Sequence, residues 1–337
     1  MWCPDLLREN VKRSGSDTDE QEASGKIEAQ VRAFTGYTAA RGIPEGFSFE
    51  RKYLLSCNDT KRYLLRIVSL PGPGGLLHKQ AEFEVVRRLR NSSSLVPGAH
   101  AFGTSDDGSL CFMLLDFMEG TDGETALRGL ATQDRYLPGV QAGRELKRLH
   151  AMPAPADLPD RSGAVRAKYT RKAAAFDAQG LRLPGIDRAH LSRYIRENIP
   201  CIRGAGRTFL HGDYHPVNLI VRSGRLNGII DLNRHDWGDP VHDFLKTAFF
   251  TRAISIPFSV GQIDGYHEGA VPSLFWKRYA VYCALTIVPE LLRAHDYARK
   301  SGSPGEVGRS EARVWQVYAD HEGFETDVPG WYRDYEG

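Results

Sequence analysis

The stretch that most constrains this chain is FLHGDYHPVNLIV, from Phe209 to Val221. Two apolar runs, each short enough to be a strand, enclose a loop that carries His211, Asp213, His215 and Asn218. A change of direction needs none of these side chains, so the loop is predicted to carry chemistry as well. A second strand pair follows: VNLIVR, a turn at SGRLNG, then IIDL with Asp231 near its end. A short hairpin brings its ends together, so Asn218 and Asp231 are predicted to be neighbours although thirteen residues separate them. Two oxygen ligands would then stand beside the Asp213 carboxylate. Hard oxygen ligands of this kind suit Mg²⁺, which completes its shell with water and phosphate.

At 337 residues the chain is longer than one core usually fills, so two lobes are expected. Residues 1–25 are polar with little periodicity and read as a mobile tail. Residues 26–119 read as a small β-rich lobe. Ile27, Val31 and Phe34 recur at helical spacing, FSFERKYLLS and RYLLRIVSL form a hairpin, and PGPGG breaks the chain. The helix LLHKQAEFEVVRRLR follows, then a second hairpin turning at Asp106–Gly108. Residues 120–337 read as mainly helical, with helices marked by Val140, Leu146 and Leu149, by Leu191, Tyr194 and Ile195, and from Leu274 to about Arg293, kinked or interrupted at Pro289. Phe275, Trp276, Tyr279 and Tyr282 fit the core of that last helix. The fold class is α+β.

Charge and cysteine usage exclude several functions. The net charge is +2, which gives no electrostatic footprint for nucleic acid, and RRLR at Arg87–Arg90 fits a solvated helix face. Five scattered cysteines lack any CxxC spacing, so reduced thiols in a cytoplasmic protein are expected. The N-terminus does not have the pattern of a signal peptide. The run YAVYCALTIVPELL is too short for a membrane span and contains Pro289 and Glu290, so no membrane partner is expected. His211, Asp213 and His215 could also be zinc ligands of a metal-dependent hydrolase, but Gly212 and Pro216 deny them the helix on which His-x-x-x-His spacing works.

The pattern HGD-YHPV-N, followed by IIDLNRHDWGDPVHDF, resembles the aminoglycoside phosphotransferase family. These are protein-kinase-like small-molecule kinases whose relatives include choline, homoserine and macrolide kinases. The likeness is strongest over Phe209–Phe244, weaker over residues 47–120, and slight in the C-terminal helices. It implies a bilobal kinase-like fold that uses ATP and Mg²⁺ to phosphorylate a hydroxyl of a small molecule, most naturally an aminoglycoside or other antibiotic. A metabolite such as choline, an amino alcohol or a sugar is the alternative acceptor, and a catalytically silent nucleotide-binding module is a further one.

Carried onto this sequence, the resemblance makes Asp213 and Asn218 the catalytic residues, with Asn218 and Asp231 holding the metal. His211, Asp239 and Asp243 would support the loop. Arg66 stands where such kinases place a strand lysine on the nucleotide phosphates. Its partner should come from the next helix, and Glu82 shares a face with Val85, Val86 and Leu89 whereas Glu84 does not. The loop PEGFSFER, with Ser48, would cover the phosphates, and the backbone at Asp116 and Met118 in MLLDFMEG would bind adenine.

Overall fold

A computed structural model describes residues 26–27, 29–43, 50–70, 73–156 and 162–336. The expected tail over 1–25 and the expected phosphate-covering residue Ser48 lie outside the described residues. The chain divides into two compact units. One runs to Glu119 and takes back Gly228–Asn233; the other comprises Gly120–Asn227 and Arg234 onward.

The first unit holds helix α1, described over residues 26–27 and 29–35, and a five-stranded antiparallel sheet. The strands are β1 (Ala39–Gly42), β2 (Arg51–Ser56), β3 (Arg62–Ser69), β4 (Ala99–Thr104) and β5 (Leu110–Asp116), in the order β1-β2-β3-β5-β4. Alternation sorts the side chains into two faces. Tyr53, Leu55, Leu65, Ile67, Phe112 and Leu114 pack on Ile27, Val31 and Tyr37. Each buried Leu or Ile stabilises that layer by about 2 kcal/mol. The other face carries Lys52, Arg66 and Met113, which stand opposite one another across β2, β3 and β5.

Helix α2 (Pro73–Leu89) buries Glu82, Val85, Val86 and Leu89 and leaves Arg87 and Arg88 in solvent, where they also favour its C-terminal dipole. Phe34 departs from expectation and is 64% exposed, because α1 ends one residue later and the chain turns away at Gly36 with φ 65°. Gly228–Asn233 joins this unit through the Ile229 amide, which donates to the Leu95 carbonyl at 2.8 Å.

The second unit begins with β6 (Thr121–Asp122), α3 (Gly123–Gly129), α4 (Tyr136–His150), α5 (Ser162–Ala178) and α6 (Arg188–Asn198). It continues through β7 (Thr208–Leu210), β8 (Leu219–Arg222), β9 (Arg225–Ile229, whose last two residues belong to the first unit) and β10 (Asp236–Gly238). Helices α7 (Arg252–Ile254), α8 (Ile256–His267), α9 (Ser273–Ser301), α10 (Gly305–Asp320) and α11 (Gly330–Arg333) complete it. Helices α4 and α8 lie in close contact because Gly139 and Gly143 face the backbone of Phe258 and Gln262, and Gly261 and Gly265 that of Tyr136 and Val140. A methyl group at Gly143 would collide with the Gln262 carbonyl, and one at Gly265 with that of Val140.

One expectation is corrected here, and the choice between a kink and an interruption at Pro289 is resolved. The hairpin turn is only Ser223–Gly224, with φ 50° and 72°, and Arg225–Ile229 is strand. Two left-handed residues make the tight turn whose twist matches the flanking strands, so no longer loop is needed. Helix α9 runs through Pro289 to Ser301. Ile287, Val288, Leu291 and Leu292 are all buried around the proline, and their packing offsets the lost backbone bond.

Candidate active site

Strand β7 delivers the chain into the loop at His211, and the buried carboxylate of Asp243 fixes its first turn. The amides of His211 and Gly212 donate to the two oxygens of Asp243 at 2.7 and 2.8 Å. His150 Nε2 lies 3.0 Å from the same carboxylate, and its Nδ1 lies 2.9 Å from the Tyr266 hydroxyl. Burial alone would raise the Asp243 carboxyl, but the His150 bond and the Gly212 amide hold it below its ordinary value. Asp239 acts one turn away: it accepts from the Val241 amide at 3.1 Å and from the Tyr282 hydroxyl at 3.2 Å.

Gly212 occupies the place where protein kinases carry arginine, and the reason is steric. Its φ is 76°, and a Cβ there would run into the carbonyl of Arg234. His211 is fully buried, and its Nδ1 accepts from the Asp213 amide at 3.3 Å. The geometry therefore makes His211 a loop-holding residue.

Asp213 is largely buried and faces two cations and an imidazole. Lys246 Nζ is 2.6 Å from Oδ1, His215 Nε2 is 3.4 Å from the same oxygen, and Arg234 Nε is 3.9 Å from Oδ2. Burial would raise this carboxyl, but the His215 hydrogen bond and the Lys246 charge outweigh it and hold Asp213 far below the usual carboxylate range. Lys246 has no signal in the sequence; it comes from the segment after Asp243 and is placed by the fold. Asn218 is buried, and its Nδ2 donates to the Asp213 carbonyl at 2.9 Å. With that nitrogen committed, Asn218 Oδ1 remains as an oxygen donor.

Asp231 lies in the first unit, two residues beyond β9, while Asn218 directly precedes β8, the strand paired with β9. Asp231 has φ 64°, a left-handed conformation that costs a non-glycine residue about 1–3 kcal/mol. Among the described residues its carboxylate makes no hydrogen bond or ion pair, and it interacts electrostatically with Lys52. The described residues contain no group of three or more His, Cys, Asp and Glu side chains that could hold a metal, so His211 and His215 do not form a zinc site there.

In the first unit Arg66 is bound on all three guanidinium nitrogens. Nε and Nη2 reach Glu50 Oε2 at 2.6 and 2.5 Å, and Nη1 reaches Glu82 Oε1 at 2.7 Å. Lys79 Nζ bridges the same two carboxylates at 2.6 and 2.7 Å, which closes a ring of four charges. Glu82 is fully buried, and the Arg66 side chain is 7% exposed. Burial would lower Arg66, but Glu82 and Glu50 push it the other way and lock it as a cation. The sequence pattern points to Glu82; Glu50 and Lys79 belong to no motif, although Lys79 stands one helical turn from Glu82.

At the end of β5 the Asp116 amide donates to the Gly98 carbonyl at 2.8 Å, and its carboxylate takes the Gly98 amide and His100. Much of Asp116 therefore serves the fold. The Met118 backbone makes no hydrogen bond among the described residues.

Comparison with known proteins gives this geometry its setting. A family profile described as the phosphotransferase enzyme family matches residues 39–278. The chain belongs to that family. This phosphotransferase is an enzyme of the small-molecule kinase class. No curated relative matches it. Among solved structures it is similar to the GDP complex of aminoglycoside 2'-phosphotransferase-IIIa, with TM-score 0.62 and 15% identity over 90% of this chain and 99% of that one. It is also similar to the gentamicin complex of APH(2")-IIa, with TM-score 0.60, 17% identity and coverage of 87% and 97%. Macrolide 2'-phosphotransferase MphH from Brachybacterium faecium gives TM-score 0.58, 17% identity and coverage of 86% and 97%. At such identities these likenesses show the kinase-like fold of the phosphotransferase. Among the described residues no helix is long and apolar enough to cross a membrane. Cys57, Cys111, Cys201 and Cys283 are free thiols.

Proposed function

We propose that this phosphotransferase moves the γ-phosphate of ATP to a hydroxyl of a small molecule, an aminoglycoside or another antibiotic, in the cytoplasm. The observation that carries the reading is the loop itself: Asp213 is held ionised by Lys246 and His215, its carbonyl is tied to Asn218, and the preceding His211 and Gly212 amides are anchored on Asp243. Phosphoryl transfer asks little covalent chemistry of a protein, so positioning and charge account for most of the catalysis. Asp213 would accept a hydrogen bond from the acceptor hydroxyl and turn its oxygen toward phosphorus. A carboxylate held so strongly ionised is a weak base, so orientation comes first and the proton arrives late in the transfer.

Asn218 Oδ1 and the Asp231 carboxylate are hard oxygen donors and fit Mg²⁺. Bound there, the ion would neutralise charge developing on the nucleotide phosphates. The Arg66–Glu82 pair would brace the nucleotide site, and Asp116 and Met118 would offer backbone groups to the base. The antibiotic acceptor is supported by neighbours whose structures contain gentamicin, streptomycin or hygromycin B.

The test is a coupled assay of ADP release across aminoglycosides, macrolides, nucleoside antibiotics, choline and small amino alcohols. Acceptor-dependent ADP release with an antibiotic supports the reading. Release only with choline or an amino alcohol moves the protein to the metabolite kinases, and no release with any hydroxyl compound contradicts the transfer itself.

A further inference from the structure

Arg66 occupies the strand position from which a nucleotide-binding cation is expected, yet no nitrogen of its guanidinium is left unbonded. Glu50 holds two of them and Glu82 the third. Lys79, the other cation of the ring, is also committed to both carboxylates. The four charges cancel, and both cations are nearly closed to solvent. A phosphate approaching Arg66 would have to displace a buried carboxylate, which leaves that carboxylate with Lys79 alone and breaks the charge balance of the ring.

The neighbouring strand carries a cation with the opposite properties. Lys52 pairs directly with Arg66 across β2 and β3, so the two side chains leave the sheet on the same face, away from the apolar layer under α1. Its backbone is fixed on the β1 side as well, where its carbonyl accepts from the Ile43 amide at 2.8 Å. The side chain is half-buried, and among the described residues its Nζ makes no hydrogen bond or ion pair. An ammonium that is half removed from water and has no acceptor is costly unless an anion arrives to meet it.

Asp231 is the second such group. It too is half-buried, lies in the same unit and makes no hydrogen bond or ion pair among the described residues, and it acts on Lys52 electrostatically. Burial and then Arg66 push the Lys52 ammonium below its ordinary pKa, while Glu50, Asp231 and Glu82 pull it back. An unmet cation and an unmet carboxylate within electrostatic reach are what a metal-bound polyphosphate would satisfy together. The cation would take phosphate oxygen and the carboxylate would take the metal.

We propose that Lys52 on β2 is the residue that contacts the nucleotide phosphates, and that Arg66 is a positioning residue locked between Glu50 and Glu82. This rests on the phosphotransferase reading above, so the experiment separates the two. Isothermal titration calorimetry of Mg²⁺–ATP and of adenosine is run on wild type, Lys52→Met and Lys52→Arg, with melting temperatures for each. Losing a charge-assisted bond to phosphate should weaken Mg²⁺–ATP about 10–100-fold in Lys52→Met. Adenosine affinity should stay at the wild-type value, and Lys52→Arg should recover part of the loss.

The melting temperature of Lys52→Met should not fall, because no partner within the described fold is lost and the repulsion with Arg66 is relieved. Arg66→Met should instead melt lower, since it leaves Glu50 and Glu82 short of a buried partner. The proposal is overturned if Lys52→Met binds Mg²⁺–ATP as wild type does, or loses ATP and adenosine equally. A wild-type protein that binds neither ligand overturns the nucleotide reading itself, and this assignment with it.

Discussion

The two units treat buried charge in opposite ways. In the first, Glu50 and Glu82 each sit between Arg66 and Lys79, and positive and negative charge cancel in a closed ring. In the second, the single carboxylate of Asp213 faces Lys246 and Arg234 beside His215, so the two cations outnumber it. A balanced ring fixes geometry: it ties helix α2 to strand β3 and exerts little field outside itself. An unbalanced cluster keeps its carboxylate ionised and leaves surplus positive potential where a phosphate could arrive. One arrangement suits scaffolding and the other suits chemistry, although both are built from the same residue types.

The contrast can be broken most sharply at Asp213. If that carboxylate aims an acceptor hydroxyl, Asp213→Asn should lose turnover by about 10²–10⁴-fold while nucleotide affinity is retained. Steady-state kinetics with the acceptor found in the screen, beside calorimetry with ATP, checks both halves. Unchanged turnover removes Asp213 from the reaction.

The ring should respond in stability. Glu82→Gln takes a charge from between two buried cations and should cost about 3–5 kcal/mol, read as a lower melting temperature. A variant that melts with wild type would show that the ring does not brace the sheet.

The smallest effect sharpens the second cluster. Lys246 is one of the groups that depress Asp213, so Lys246→Met should raise the carboxyl toward its ordinary value. A folded pKa held low keeps Asp213 ionised well into acid. Once it rises, the ionised fraction is lost at a higher pH, and any acid limb of kcat/KM that Asp213 sets should move toward higher pH. An acid limb that stays in place would mean that another group sets it.

Local pattern made much of the architecture legible. Alternation in YLLS and YLLRIV placed β2 and β3, the spacing of Glu82 with Val85, Val86 and Leu89 placed the buried face of α2, and HGDYHPVN marked the loop. The misses share a cause, which is that they depend on contacts distant in sequence. Lys246 lies more than thirty residues from Asp213 and belongs to no motif. Glu50 joins the ring only because β2 and β3 pair. The helix through Pro289 survives because its neighbours are buried, which local propensity does not register. Lys52 was within reach of the sequence, since the hairpin register alone sets it opposite Arg66.

The central claim is that Asn218 and Asp231 jointly hold a divalent ion on a nucleotide that Asp213 serves. Calorimetry of ATP with and without Mg²⁺, in wild type and in Asp231→Asn, addresses it without knowledge of the acceptor. Wild type should bind ATP about tenfold or more tightly with the metal present, and Asp231→Asn should lose that gain. Equal affinity with and without Mg²⁺ in wild type, or an intact metal effect in the variant, would contradict the assignment.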